Sequence, residues 1–179
     1  TYSFIEEGPD NVGGRTRAIA VDPNQPMTMF AGSVTGGLFV SYNKGNNWER
    51  IKEFDNELLN TDNNNGSISI SSIAVTKNGI LYVATGGEMF EGTVVGESSG
   101  ITRGDGLWFS NSLTNFNFQQ VSYTNNKDIL KVVADPMDNN SVYFVGEQGI
   151  GLGKDSLGTN VSFPVADPDN FYSLNEQDI

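Results

Sequence analysis

Apolar residues in this chain arrive in short runs, each closed by Gly, Asn or Asp-Pro. Such runs bounded by turn residues predict β-strands. Residues 17–21 form the first, stopped by Asp22-Pro23. Residues 27–31 form the second, closed by Gly32. Residues 37–41 and 48–51 follow, making four short strands in about 35 residues. Helical spacing is nearly absent. The longest candidate, 54–59, dissolves into the loop chemistry of Thr61-Asp62-Asn63-Asn64-Asn65-Gly66, so no helix is predicted there.

The pattern then returns. Residues 72–75, 80–84, 106–110 and 118–121 repeat the four strands in order. A third copy starts at 129–134, stops at Asp135-Pro136 and resumes at 141–146. Ala20 and Ala31 lie eleven residues apart, Ala74 and Ala84 ten, Ala134 and Val145 eleven again. The two Asp-Pro corners, Asp22 and Asp135, are two periods of about 56 residues apart. Four strands per unit at a period of roughly 40–60 residues predict an all-β chain of β-propeller blades, each of four antiparallel strands. About three blades are expected, near 12–55, 67–122 and 128–166, forming an incomplete ring. The missing blades are expected C-terminal to the third, with 1–8 as a strand that closes the ring; a partner or second copy is the alternative way to complete it.

Two connections are long: 53–66, and 88–103 between the second and third strands of unit two. Propeller insertions project from a face and often carry function.

Composition narrows the chemistry. The 179 residues hold 21 Gly, and Asn is frequent, consistent with many tight turns. The net charge of -12 repels a phosphate backbone and an anionic membrane surface. With no Cys, disulfides and thiolate metal sites are excluded; with no His, a Ser-His-Asp triad is excluded. No apolar run approaches the roughly 18 residues of a membrane-spanning helix. The start at Thr1 suits a processed mature protein or an excised fragment.

The segment Gly8-Pro9-Asp10-Asn11-Val12-Gly13-Gly14-Arg15-Thr16-Arg17, followed by Ala20-Val21-Asp22-Pro23, resembles the start of BNR/Asp-box propellers, including the sortilin-like bacterial repeats. Ser41-Tyr42-Asn43-Lys44-Gly45-Asn46-Asn47-Trp48 resembles the Asp-box, S-x-D-x-G-x-x-W, with Asn43 where Asp is usual. By that reading Ser41, Asn43, Gly45 and Trp48 form a structural turn. Asn43 accepts backbone N–H bonds, Gly45 supplies positive φ and Trp48 buries a large apolar surface beneath the turn. In unit two, 110–118 keeps the frame without the box, and Phe118 takes the Trp position. In unit three, 154–158 is only a remnant.

The resemblance brings enzymes into view, because the family includes sialidases and xyloglucan-cleaving hydrolases. A sialidase needs an Arg cluster, and this chain has only Arg15, Arg17, Arg50 and Arg103. Arg15 reads as a structural residue bonding loop carbonyls. The xyloglucanases carry a catalytic acid just before a Gly-Gly pair in the first blade. Here that place is Val34-Thr35-Gly36-Gly37, with no carboxylate. Glu88, Glu91 and Glu97 are the remaining carboxylates for an acid–base pair. No catalytic, cofactor or metal residues are assigned. Calcium is left open at 62–66 and 167–170, which are oxygen-rich without EF-hand spacing. The run 149–154 lacks Walker spacing and a following helix and is rejected as a phosphate loop.

The expected function is a non-catalytic, extracytoplasmic scaffold that binds protein, of the kind found on adhesins or with outer-membrane secretion machinery; glycan is open as a ligand. The candidate partner-binding loop is Glu88, Met89, Phe90 and Glu91, with Tyr123 beside it. The alternative is a fragment of a carbohydrate-active enzyme. The Asn-rich, acidic, Cys-free style resembles envelope proteins of Bacteroidetes.

Overall fold

The computed structural model describes residues 15–59, 68–86, 104–121, 124–146, 149–155 and 161–162. They form three four-stranded antiparallel sheets in chain order. The first is β1 (Thr16–Val21), β2 (Met29–Ser33), β3 (Leu38–Ser41) and β4 (Glu49–Arg50), followed by helix α1 (Lys52–Leu59). The second is β5 (Ile70–Val75), β6 (Leu81–Thr85), β7 (Leu107–Ser110) and β8 (Gln119–Gln120). The third is β9 (Ile129–Ala134), β10 (Ser141–Gly146), β11 (Gly149–Asp155) and β12 (Val161–Ser162). Each sheet is a simple meander, first strand to fourth.

The sheets stack face to face, and the pleat decides which residues meet. Alternate residues of a strand point to opposite faces. Each blade therefore has a forward face, toward the next blade, and a rear face, toward the one before. The forward face of the first blade gives Ala18, Phe30, Leu38 and Val40 to one core. The rear face of the second meets them with Ile73, Val75, Leu81, Val83 and Trp108. The forward face of the second gives Ala74, Tyr82, Ala84, Leu107 and Phe109 to another core. Ile129, Val132 and Val142 of the third blade close it. The second blade is thus apolar on both faces because a neighbour covers each.

The inner strand of every blade carries a bulge at the same end. Register slips at Arg17 in β1, at Ser71 in β5 and at Leu130 in β9. A bulge re-aims one side chain out of the pleat. Arg17 Nη1 donates to Gly86 O across the first joint at 3.2 Å, and Ser71 Oγ donates to Ile129 O across the second. The opposite rim is tied at the turns after the inner strands. Asn24 Nδ2 donates to Lys77 O at 2.7 Å, and Lys77 Nζ donates to Pro136 O at 3.0 Å.

Two elements depart from the sequence expectation. The segment 52–59 is helical, because Phe54 is buried in the first joint and Asp55 pairs with Arg50 Nε at 2.7 Å. Tertiary contacts hold a turn and a half that its own periodicity does not specify. The run 149–155 is a full strand paired with β10, although alternating Gly hides it.

Candidate functional site

Two places combine sequence motif and polar geometry: the outer turn of the first blade, and the rim where the long connection of the second blade leaves its sheet.

The outer turn hangs on Ser41, which is buried. Its Oγ accepts from Gly45 N–H at 2.8 Å and donates to Asn43 Oδ1 at 3.0 Å. Asn43 Oδ1 also accepts from Asn47 N–H at 2.9 Å. Lys44 and Gly45 both have positive φ, 58° and 89°. The left-handed pair reverses the chain within the reach of one amide oxygen. Ser41, Asn43 and Gly45 are therefore brought together. Trp48 differs from the expectation of deep burial: it is half-buried and lies outside both cores. Its equivalent by register is Phe118, on a rear face covered by the first blade.

At the rim, residues 86 and 104 bracket the connection and are pinned from all three blades. Gly86 N–H donates to Ser69 O at 3.0 Å, and Gly86 O accepts from Arg17. Gly104 N–H donates to the Asp128 carboxylate. Thr85 Oγ1 donates to Gly106 O at 2.8 Å and accepts from Asp105 N–H at 2.7 Å. Thr124 Oγ1 accepts from Leu107 N–H at 2.8 Å. Gly104 is required by space: a Cβ would lie 2.4 Å from Thr85 O.

Asp105 sits within this network, 3% exposed. Gln120 Nε2 donates to its Oδ1 at 3.2 Å, and Oδ2 has no hydrogen-bond partner among the described residues. Burial raises its pKa above the ordinary carboxylate value, opposed by the Gln120 amide and the Asn126 N–H. Asp55, at the same level in the first blade, is raised by burial too, against the pull of Arg50.

The sequence did not single out Thr85, Asp105, Thr124 or Asp128. Its available signal was Gly104-Asp105-Gly106, in the register place of 35–37. Glu88, Met89, Phe90, Glu91, Glu97, Arg103 and Tyr123 lie outside the described residues, as do 62–66, 167–170 and the strand expected at 1–8. Arg15 is exposed, and the side chain that bonds a loop carbonyl is that of Arg17. Among the described residues no three acidic groups gather as a metal site.

No family model matches the sequence, and no curated protein matches it. Solved structures do. An ancestral GH74 enzyme is similar with a TM-score of 0.50 and 22% identity, over 77% of this chain and 17% of that one. The Cps50 (Swd1) β-propeller domain of Myceliophteria thermophila is similar with a TM-score of 0.49 and 10% identity, over 85% of this chain and 38% of that one. A GH74 enzyme of Niastella koreensis gives 0.45 and 13%, over 76% and 16%. The chain spans well under half of each. Together with the stacked meanders, the first likeness establishes the fold as part of a β-propeller.

Proposed function

We propose that this chain is a non-catalytic binding scaffold of the BNR/Asp-box kind, working outside the cytoplasm, with the 87–103 connection as its recognition element. The observation that carries the reading is the pinning of residues 86 and 104. Three blades contribute hydrogen bonds to the two ends of one connection, whereas the described tight turns are held mainly by their own Ser and Asn side chains. Rigid stems lower the ordering cost of whatever a loop binds. Met89 and Phe90 supply apolar anchors between Glu88 and Glu91, a pattern suited to a protein partner with a basic rim.

The test replaces 88–102 with a short Gly-Ser link and, separately, places a photo-crosslinking residue at Phe90. The partner captured is then purified and titrated against the chain. Binding lost in the shortened form, at unchanged melting temperature, supports the reading. Equal binding by both forms overturns it.

One observation favours a second reading, a glycan-cleaving propeller. Asp105 is a buried carboxyl that favours its protonated form, standing just before Gly106 at the start of a third strand. Such a group suits general-acid chemistry once a substrate reaches it. Turnover of a β-glucan polysaccharide, lost in Asp105→Asn, would establish this reading in place of the first.

A further inference from the structure

The three blades share one register, so the same side chain can be followed from joint to joint. The aromatic near the start of the second strand is Phe30, Tyr82 and Tyr143 in turn. The first two face a following blade and are 0% exposed; Tyr143, on the forward face of the third, is 43% exposed. Val133 and Val145 stand exposed beside it. The rear face of the first blade mirrors this. Ile73 and Val75 are buried in the second blade, while their register equivalents Ile19 and Val21 are 61% and 46% exposed. The half-exposure of Trp48 belongs to the same face, opposite in register to buried Phe118. The array therefore ends in one uncovered forward face and one uncovered rear face. Inside the molecule, forward faces pack on rear faces twice over.

We propose that the occupant of each end face is a second copy of this chain, joined head to tail. The forward face of one third blade covers the rear face of the other copy's first blade, and the reverse contact closes the ring. Two copies give six blades, within the four to eight usual for propellers. The joint is heterologous in its faces yet closed by a two-fold axis, because each copy contributes one of each. The ends carry matching apolar character: Val133, Tyr143 and Val145 against Ile19 and Val21. They stand in the register places that form the two internal joints. This inference is independent of the loop reading above.

Two charged variants test it, Ile19→Asp for the rear face and Tyr143→Asp for the forward face. Both positions are exposed, and far-UV circular dichroism verifies the sheet in each. Light scattering on the wild-type chain is expected to give twice the 19.4 kDa chain mass, falling on dilution. Each variant alone is expected at 19.4 kDa. Mixed, they are expected to form a one-to-one pair, since one keeps a forward face and the other a rear face. A wild-type chain at 19.4 kDa up to a concentration of 100 µM overturns the proposal, and leaves the faces to further blades. Either variant dimerising alone overturns it too, by showing like-to-like contact.

Discussion

In the first blade the outer turn hangs from Ser41 and closes beside a half-buried Trp48. In the second it hangs from Ser110 and closes over Phe118, which is buried against Phe54 at 4.9 Å and stacked on Phe116 at 5.9 Å. The hydroxyl does the same work in both. Ser110 Oγ accepts from the Ser112 and Asn117 N–H groups and donates to Ser112 O. The aromatic does not. What separates Phe118 from Trp48 is the neighbour: the first blade covers one and no described blade covers the other. The turn motif specifies local backbone geometry, and the stacking of blades decides how much its aromatic stabilises.

The comparison can be broken most sharply at the aromatics. Phe118→Ala is expected to cost about 3–5 kcal/mol, as for a fully buried ring. Trp48→Ala is expected to cost only about 1–2 kcal/mol, because a half-buried ring loses less apolar contact. Urea unfolding at one fixed protein concentration checks both; equal losses would contradict the assigned faces. If the ends join as proposed, the Trp48 penalty grows with concentration, which sharpens the contrast.

The shared hydroxyl gives the next effect. Ser41→Ala and Ser110→Ala each leave two turn N–H groups without their oxygen and are expected to cost about 1–3 kcal/mol. Similar values for the two, measured in the same way, would uphold the equivalence of the frames. Asn43→Asp preserves an acceptor for Asn47 N–H and is expected to change stability by under about 0.5 kcal/mol.

The smallest effect compares the two buried acids. Asp105 and Asp55 both have pKa values raised above 3.8 by burial. A raised carboxyl pKa means that the folded state holds the proton more tightly than the unfolded chain. Its contribution is therefore full below 3.8 and is lost as pH rises through the folded value. Asp105→Asn is expected to flatten the fall in denaturation midpoint between pH 4 and pH 7. Asp55→Asn is expected to flatten it less, since it also breaks the pair with Arg50.

The strands were largely legible because each is a short apolar run closed by a turn residue. Residues 129–134 and 141–146 match their expected bounds, while β2, β5 and β6 shift by one or two residues. Two things were not. The helix at 52–59 rests on Phe54 meeting Trp108 and Phe118 of the next blade, contacts more than fifty residues away in sequence. The strand at 149–155 has Gly at 149, 151 and 153, which erases the alternation that marks a strand. The turn residues Ser41, Asn43 and Gly45 could be read from spacing alone, since their bonds are local. The rim around Asp105 could not. Its members come from positions 17, 69, 85, 105, 124 and 128, and only the stacking of blades makes them neighbours.

The bulge on each inner strand has a mechanical consequence. Arg17 and Ser71 fasten one rim of a joint, and the Asn24 and Lys77 side chains fasten the other. A sheet held at both margins cannot fan open like a page; it can leave its neighbour only as an intact wedge. Amide protons of β5 and β6 should then exchange with solvent together, at one rate set by separation of whole blades. In the third blade the bulge residue is Leu130, an exposed hydrocarbon in place of a polar latch. That margin is free to slide as it seats against whatever it meets.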